Sequence, residues 1–104
     1  MTLVDFKLPP DRFLEIVRDV VVNTRNVTIP DPPQVGQWQR TVNYRQVIRC
    51  LEEGELVSGP NLDEHGNWQA RLRRFSAGVM VLVTVALARR GEGWHIYVIE
   101  VQHE

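Results

Sequence analysis

Residues 79–88, with the sequence VMVLVTVALA, constrain the fold more than any other stretch of this chain. The stretch has no charge, glycine or proline, and its valines and threonine suit a strand better than a helix. A strand with one face in water alternates apolar and polar residues, and this one does not. It is also too short for a membrane-spanning helix, which needs about 20 apolar residues. We therefore predict a central strand, covered on both faces by helices or by a curled sheet.

Further strands are predicted on either side of this central strand in the sequence. Residues 68–75 alternate cleanly at first and are joined to it by a tight hairpin turn at Ser76-Ala77-Gly78. A second hairpin turn over residues 89–93 leads into a last strand at 94–101. Two shorter strands are predicted at 27–29, as an edge strand, and at 55–58, ended by Gly59-Pro60 and followed by a polar loop over 61–67.

Two helices are predicted before the meander. Pro9-Pro10-Asp11 begins the first helix, which ends near Asn23, and Asn43 with Gln46 forms a capping-box-like start for the second, which stops at Gly54. Their apolar stripes are Phe13, Ile16, Val17, Val20 and Val21 in the first, and Tyr44, Val47, Ile48 and Leu51 in the second. The prediction is one α+β domain over residues 1–104, with about two N-terminal helices packed on a curled antiparallel meander of four to five strands.

The composition and charge of the chain exclude few classes of function. The net charge of −1 gives no general attraction to nucleic acid or to a membrane, although residues 69–90 contain five arginines and no acid. The lone cysteine, Cys50, excludes an intrachain disulfide, fits the cytoplasm, and is expected to be a half-buried, inert thiol. The N-terminus does not have the pattern of a signal peptide, and the histidines and Cys50 lack metal-ligand spacing. We therefore expect a cytoplasmic protein without a membrane segment, metal or cofactor.

Two pairs of side chains are the best candidates for chemistry. Arg71 and Arg73 are two apart on a predicted strand and so point to one side, as do His95 and Tyr97 on the last strand. If both pairs share a sheet face, two guanidinium groups could hold phosphate while an imidazole and a phenol handle protons in metal-free RNA cleavage. The alternative is that the arginines are solvated side chains that favour solubility, and that His95 is a rim or core histidine.

The pattern of the second helix and the meander resembles a small bacterial family of unknown function. That family is placed near the RelE, ParE and BrnT toxins of toxin–antitoxin pairs, and the resemblance covers about the last two-thirds of the chain. The matching residues are Tyr44, Val47, Leu51, Gly54, Gly59-Pro60, Asp63, His65-Gly66, Trp68, Leu72, Gly78 and the valine-rich residues 79–85.

This resemblance implies a RelE-like fold and, by family analogy, RNA cleavage countered by an antitoxin protein. Besides the two pairs, the cations expected to contact RNA are Arg40, Arg74, Arg89 and Arg90. The chain departs from the family at two positions, where members often carry a histidine and an arginine and this chain has Pro32 and Gly36. Of the basic residues in that segment of the family pattern, only Arg40 is retained. A folded but inactive, degenerate member is therefore an open alternative.

A second hypothesis is a non-enzymatic interaction module. The apolar residues of the last strand lie near the C-terminus, where an uncovered sheet edge could pair with a partner protein or with a second copy in a homodimer. These residues are Ile96, Val98, Ile99 and Val101.

Overall fold

The computed structural model describes residues 8–29 and 43–103, and within them the chain forms two α-helices and five strands. The elements are helices α1 (Pro10–Val21) and α2 (Tyr44–Glu53), and strands β1 (Val27–Thr28), β2 (Glu55–Leu62), β3 (Trp68–Ser76), β4 (Val79–Arg90) and β5 (Gly93–His103). A single 3₁₀ turn, Thr24–Asn26, connects α1 to β1. In this part of the chain, no helix is long and apolar enough to cross a lipid bilayer.

The strands form one sheet in the order β1-β5-β4-β3-β2, which places the valine-rich strand β4 in the middle. Strands β2 to β5 are an antiparallel meander, so the predicted α+β arrangement of two helices and a meander is confirmed. The expectation of a purely antiparallel sheet is wrong, because β1 pairs in parallel with β5. Strand β1 also precedes α2 in the chain, so only α1 lies before the whole sheet.

Both described helices pack on the same face of the sheet, which we call the helix face. Val81, Val83, Val85 and Leu87 of β4 are buried there, and the Cys50 thiol of α2 lies 4.0 Å from the carbonyl oxygen of Val81. The opposite face, which we call the open face, carries the alternate residues of β4: Leu82, Thr84, Ala86 and Ala88.

The absence of alternation in β4 therefore has a different cause from the one expected. The prediction of helices or sheet over both faces is not met by the described residues, since both helices lie on one side. Ala86 is nevertheless buried, and it lies in register between Gln69 and Tyr97, while the buried Ala88 lies beside His95. Small apolar residues flanked by longer polar ones can thus line a face that neither described helix covers.

The sequence predicted that β2 ends at Gly59-Pro60. The strand instead continues through these two residues to Leu62. Its pairing with β3 shifts register on either side of Ser58, and Gly59 has a φ of 88°. Proline is tolerated here because β2 is at the edge of the sheet, where a missing N–H need not break the ladder. The predicted loop is correspondingly shorter and begins at Asp63.

The start of α2 is confirmed as a capping box. The Asn43 side chain accepts from the Gln46 N–H at 2.9 Å, and the Gln46 side chain accepts from the Asn43 N–H at 2.9 Å. The predicted stripe is wrong in part, since Tyr44 is 54% exposed and Ile48 only half-buried. The residues of α2 that are buried are Gln46, Val47, Cys50 and Leu51.

Helix α1 buries the five residues predicted for its stripe and ends at Val21, slightly before the predicted end. Arg18 on this helix donates to the carbonyl oxygens of Leu51 at 2.8 Å and Gly54 at 2.7 Å. A cation at the last carbonyls of a helix complements its dipole, so Arg18 both caps α2 and fixes it against α1.

Candidate functional site on the open face of the sheet

The strand register places both predicted pairs on the open face. Arg71 and Arg73 of β3 are paired with Thr84 and Leu82, which are open-face residues of β4. Tyr97 and His95 of β5 are paired with Ala86 and Ala88, which belong to the same alternate set. The condition that the sequence left open, that the two pairs share a face, is therefore met.

His95, Tyr97, Arg90 and Thr28 form a contiguous group that we call the His95 cluster. The ring centroids of His95 and Tyr97 are 4.6 Å apart at an interplanar angle of 49°. Arg90, at the end of β4, donates from Nη1 to the Tyr97 hydroxyl. The Thr28 hydroxyl of β1 lies 2.6 Å from Nε2 of His95. Three different strands thus contribute to one group of polar side chains.

The environment of His95 favours its neutral form. Burial of the imidazole lowers its pKa below the ordinary 6.5, and the positive charge of Arg90 lowers the pKa further. A neutral imidazole can accept a proton, which an imidazolium cannot. When Nε2–H donates to the Thr28 hydroxyl, the unprotonated nitrogen is Nδ1, and this tautomer makes His95 a base with one free nitrogen.

The predicted arginine pair is less free than the sequence indicates. Nε of Arg73 donates to the Glu55 carboxylate at 2.9 Å, so this charge is largely opposed by the neighbouring strand β2. Arg71 is 3.4 Å from the neutral amide oxygen of Gln102, which leaves its positive charge uncompensated by that contact. Arg71 is therefore the stronger of the two candidates for holding a phosphate.

The other predicted RNA-binding cations do not gather in one place. Arg90 belongs to the His95 cluster, whereas Arg89 and Arg74 lie on the helix face of the sheet. There the Arg89 guanidinium is 4.9 Å from the Trp94 ring centroid, and Arg74 donates to Glu53 at 2.9 Å. Arg40 lies outside the described residues, as do Pro32 and Gly36, at the two positions where the chain departs from the family pattern.

An open cleft of about 590 Å³ adjoins the His95 cluster on the open face. Its walls are Tyr97, Gln69 and the loop between β2 and β3, including His65 and Asn67. The Asp63 carboxylate shapes this loop by accepting from the N–H groups of His65 at 2.8 Å and Asn67 at 2.9 Å. No residue signal pointed to Thr28 or to this cleft, because both depend on pairings between distant parts of the chain.

The structure also locates the residues behind the interaction hypothesis. Ile96, Val98 and Val101 are buried on the helix face and are not available to a partner, whereas Ile99 is 39% exposed. Strand β1 pairs with β5 only at Ile96 and Tyr97. Within residues 8–29 and 43–103, the backbone edge of β5 beyond Tyr97 therefore has no neighbouring strand.

In the described residues, no group of three histidine, cysteine, aspartate or glutamate side chains is placed to hold a metal ion. Comparison of the chain with protein-family models, with curated proteins and with solved structures gives no match.

Proposed function

We propose that the open face binds RNA and that the His95 cluster cleaves it, in the manner of the RelE- and BrnT-type toxins that the sequence resembles. The observation that carries the proposal is the convergence of His95, Tyr97 and Arg90, which come from two strands and touch one another. The α+β arrangement is compatible with a RelE-like fold, and both described helices lie on the side of the meander away from the His95 cluster. The protein would act in the cytoplasm, with an antitoxin as its partner.

Each member of the cluster has a part in the proposed reaction. Neutral His95 accepts the proton of a ribose 2′-hydroxyl, and the resulting oxygen attacks the adjacent phosphorus. The bond from phosphorus to the 5′-oxygen breaks, and Tyr97 gives its hydroxyl proton to that leaving oxygen. Arg90, already bonded to the Tyr97 oxygen, stabilises the phenolate that remains. The products are a 2′,3′-cyclic phosphate and a 5′-hydroxyl, so no metal or cofactor is consumed.

The rest of the open face supports binding. Arg71 is paired with Thr84 of β4, and Tyr97 is paired with Ala86, the next open-face residue of the same strand. Arg71 offers a planar guanidinium group to a backbone phosphate. The cleft beside Tyr97 is lined by the amide side chains of Asn67 and Gln69, which can donate to and accept from the edge of a base. Phosphate contacts would give affinity, and the amides would give any preference for sequence.

The test is an RNA-cleavage assay with purified protein and a single-stranded RNA, scoring 2′,3′-cyclic phosphate ends. We expect His95→Gln to reduce the cleavage rate by a factor of about 100 or more, the usual contribution of a positioned base. His103→Gln is the matched control, because His103 is exposed and lies on the helix-face register of the same strand. Cleavage that survives unchanged in folded His95→Gln protein would contradict the proposal.

A second candidate function, a non-catalytic interaction module or degenerate toxin homologue, is favoured by a separate observation. Edge strand β2 carries two exposed apolar side chains, Val57 and Leu62, the latter 59% exposed. Apolar residues on a free edge favour pairing with a partner protein or with a second copy. This function predicts a dimer in sedimentation experiments that Val57→Asp with Leu62→Asp converts to a monomer. A wild-type monomer that cleaves RNA would exclude the dimeric, non-catalytic form.

A further inference from the structure

A second concentration of positive charge lies on the other side of the sheet from the His95 cluster. An open cavity of about 470 Å³ is bounded by α2 and by the turn between β3 and β4. Arg45 and Arg49 of α2 and Arg74 of β3 line it, together with Ser76 and Ala77. We call this the arginine pocket. None of the lining residues in the described part of the chain carries a carboxylate.

The three guanidinium groups are arranged rather than scattered. Arg45 and Arg49 are four residues apart on α2 and so lie on one side of the helix. The Glu53 carboxylate accepts from Arg49 at 3.0 Å and from Arg74 at 2.9 Å, which holds both groups beside the cavity. Among the described residues, one carboxylate touches these three positive charges, which leaves an excess of two.

Arg45 supplies charge that nothing described neutralises. It is exposed, and within residues 8–29 and 43–103 no hydrogen bond or ion pair joins its side chain to another group. A guanidinium group that makes no internal bond contributes little to folding. Its position in the lining of a pocket with two other arginines is instead suited to an anion.

The pocket walls are fixed by a buried amide. Gln46 donates from Nε2 to the Ser76 carbonyl oxygen at 3.2 Å and so ties α2 to the β3–β4 turn. The capping box between Asn43 and Gln46 already engages the backbone N–H groups of both residues. The charged donors that line the pocket are the three arginine side chains.

We infer that the arginine pocket binds the phosphate groups of a small phosphorylated molecule, with a diphosphate as the best-matched unit. Planar guanidinium groups bind phosphate oxygens in pairs, and an excess of two positive charges suits a polyanion better than a single carboxylate. The volume lies in the range usual for small-molecule sites, about 300–1,000 Å³. The site is on the helix face, so it is independent of the RNA function proposed for the open face.

The test uses pyrophosphate as the probe, followed by backbone amide NMR signals of the full chain at low salt. We expect the signals of residues 43–49 and 74–77 to shift, and Arg45→Gln to weaken binding at least about tenfold. Arg25→Gln is the matched control, because Arg25 is also exposed and makes no ion pair in the described part of the chain. Since Arg45 makes no side-chain bond within residues 8–29 and 43–103, we expect its replacement to leave the fold intact.

Either of two results with the wild-type protein would overturn the inference. One is the absence of any shift in the pocket signals at pyrophosphate concentrations up to about 10 mM. A specific site of this charge should bind pyrophosphate more tightly than that. The other is a shift produced by a short single-stranded RNA but not by pyrophosphate, which would make the pocket part of a track for RNA. Equal weakening by Arg45→Gln and Arg25→Gln would likewise show general charge attraction and no site.

Discussion

His95 and Tyr97 lie on the same side of β5, and their rings are in contact, with centroids 4.6 Å apart. Side chains two apart on a strand normally stand about 7 Å from each other, so each ring leans toward the other. Thr28 holds the imidazole from one side and Arg90 holds the phenol from the other. An imidazole and a phenol are thereby held in adjacent positions on the open face.

The pH dependence of RNA cleavage should follow the ionisation of His95. Burial, and then the charge of Arg90, lower the pKa of His95 below 6.5, so the rate should be constant at neutral pH and should fall only below 6.5. Arg90→Gln removes one cause of that shift, and we expect the pKa of His95 to rise toward its ordinary value. NMR titration of the imidazole signal measures this directly, independently of activity.

The same shift affects stability. Because the unfolded chain binds a proton at His95 more readily than the folded protein does, the free energy of unfolding should fall as the pH drops through 6.5. Urea unfolding at several pH values, compared between the wild type and His95→Gln, checks this. A pH slope that is the same in both proteins would show that His95 is not the group responsible.

Two leucines offer a matched test of the core. Leu51 of α2 is fully buried, whereas Leu62 at the end of β2 is largely exposed. We expect Leu51→Ala to lower the free energy of unfolding by about 2–5 kcal/mol, because it removes buried methyl groups and leaves a cavity. Leu62→Ala should change it by no more than about 0.5 kcal/mol. Similar losses for both in urea titrations would contradict the packing described for α2.

Alanine substitutions at two glycines with positive φ distinguish the effect of backbone strain from the effect of steric crowding. Gly59 and Gly66 have φ values of 88° and 80°, so alanine is strained at both by about 1–2 kcal/mol. At Gly59 an added Cβ would also lie 2.7 Å from the carbonyl oxygen of Gln69, whereas at Gly66 it would meet nothing within 4 Å. Gly59→Ala should therefore have the lower thermal midpoint. An equal decrease in both variants would argue against close packing of β2 on β3.

The thiol of Cys50 should be unreactive while the protein is folded. It is fully buried, where the sequence predicted half-burial, and burial raises its pKa to about 12. Since the thiolate is the reactive form, a disulfide reagent should label Cys50 only when the chain unfolds. Labelling rates measured across a urea titration should rise together with the unfolded fraction. Rapid labelling without denaturant would show that the α2 side of the core opens readily.

What the sequence predicted well depends on nearby residues. The capping box at Asn43, the stripe of α1 and the hairpin turn at Ser76-Ala77-Gly78 rest on spacings of a few positions, and their physical causes are equally local. The sequence alone did not establish that Arg71 and His95 share a face. Strand alternation places the two members of each pair on one side of their own strand, but it does not fix the register between strands.

What the sequence did not predict depends on distant pairings. Thr28 reaches His95 because β1 adds to β5 in parallel, and no local pattern indicates which strand a two-residue segment will join. Glu55 opposes Arg73 only because β2 and β3 are neighbours in this register. Each of these contacts changes the chemistry of a candidate residue, which is why the site was harder to predict than the fold.

The register shift in β5 has a consequence for how substitutions and deletions in this strand would act. Val85 pairs with Val98 and Thr84 with Glu100, so Ile99 is an extra residue without a partner across the ladder. If Ile99 instead paired with Thr84 in a regular ladder, the two sides of everything beyond it would be exchanged, and Glu100 and Gln102 would lie opposite Val83 and Val81 in the valine core. Deleting Ile99 should therefore leave Glu100 and Gln102 on the open face. The bulge at Ile99 thus decides which residues of the C-terminal strand belong to the interior and which belong to the open face.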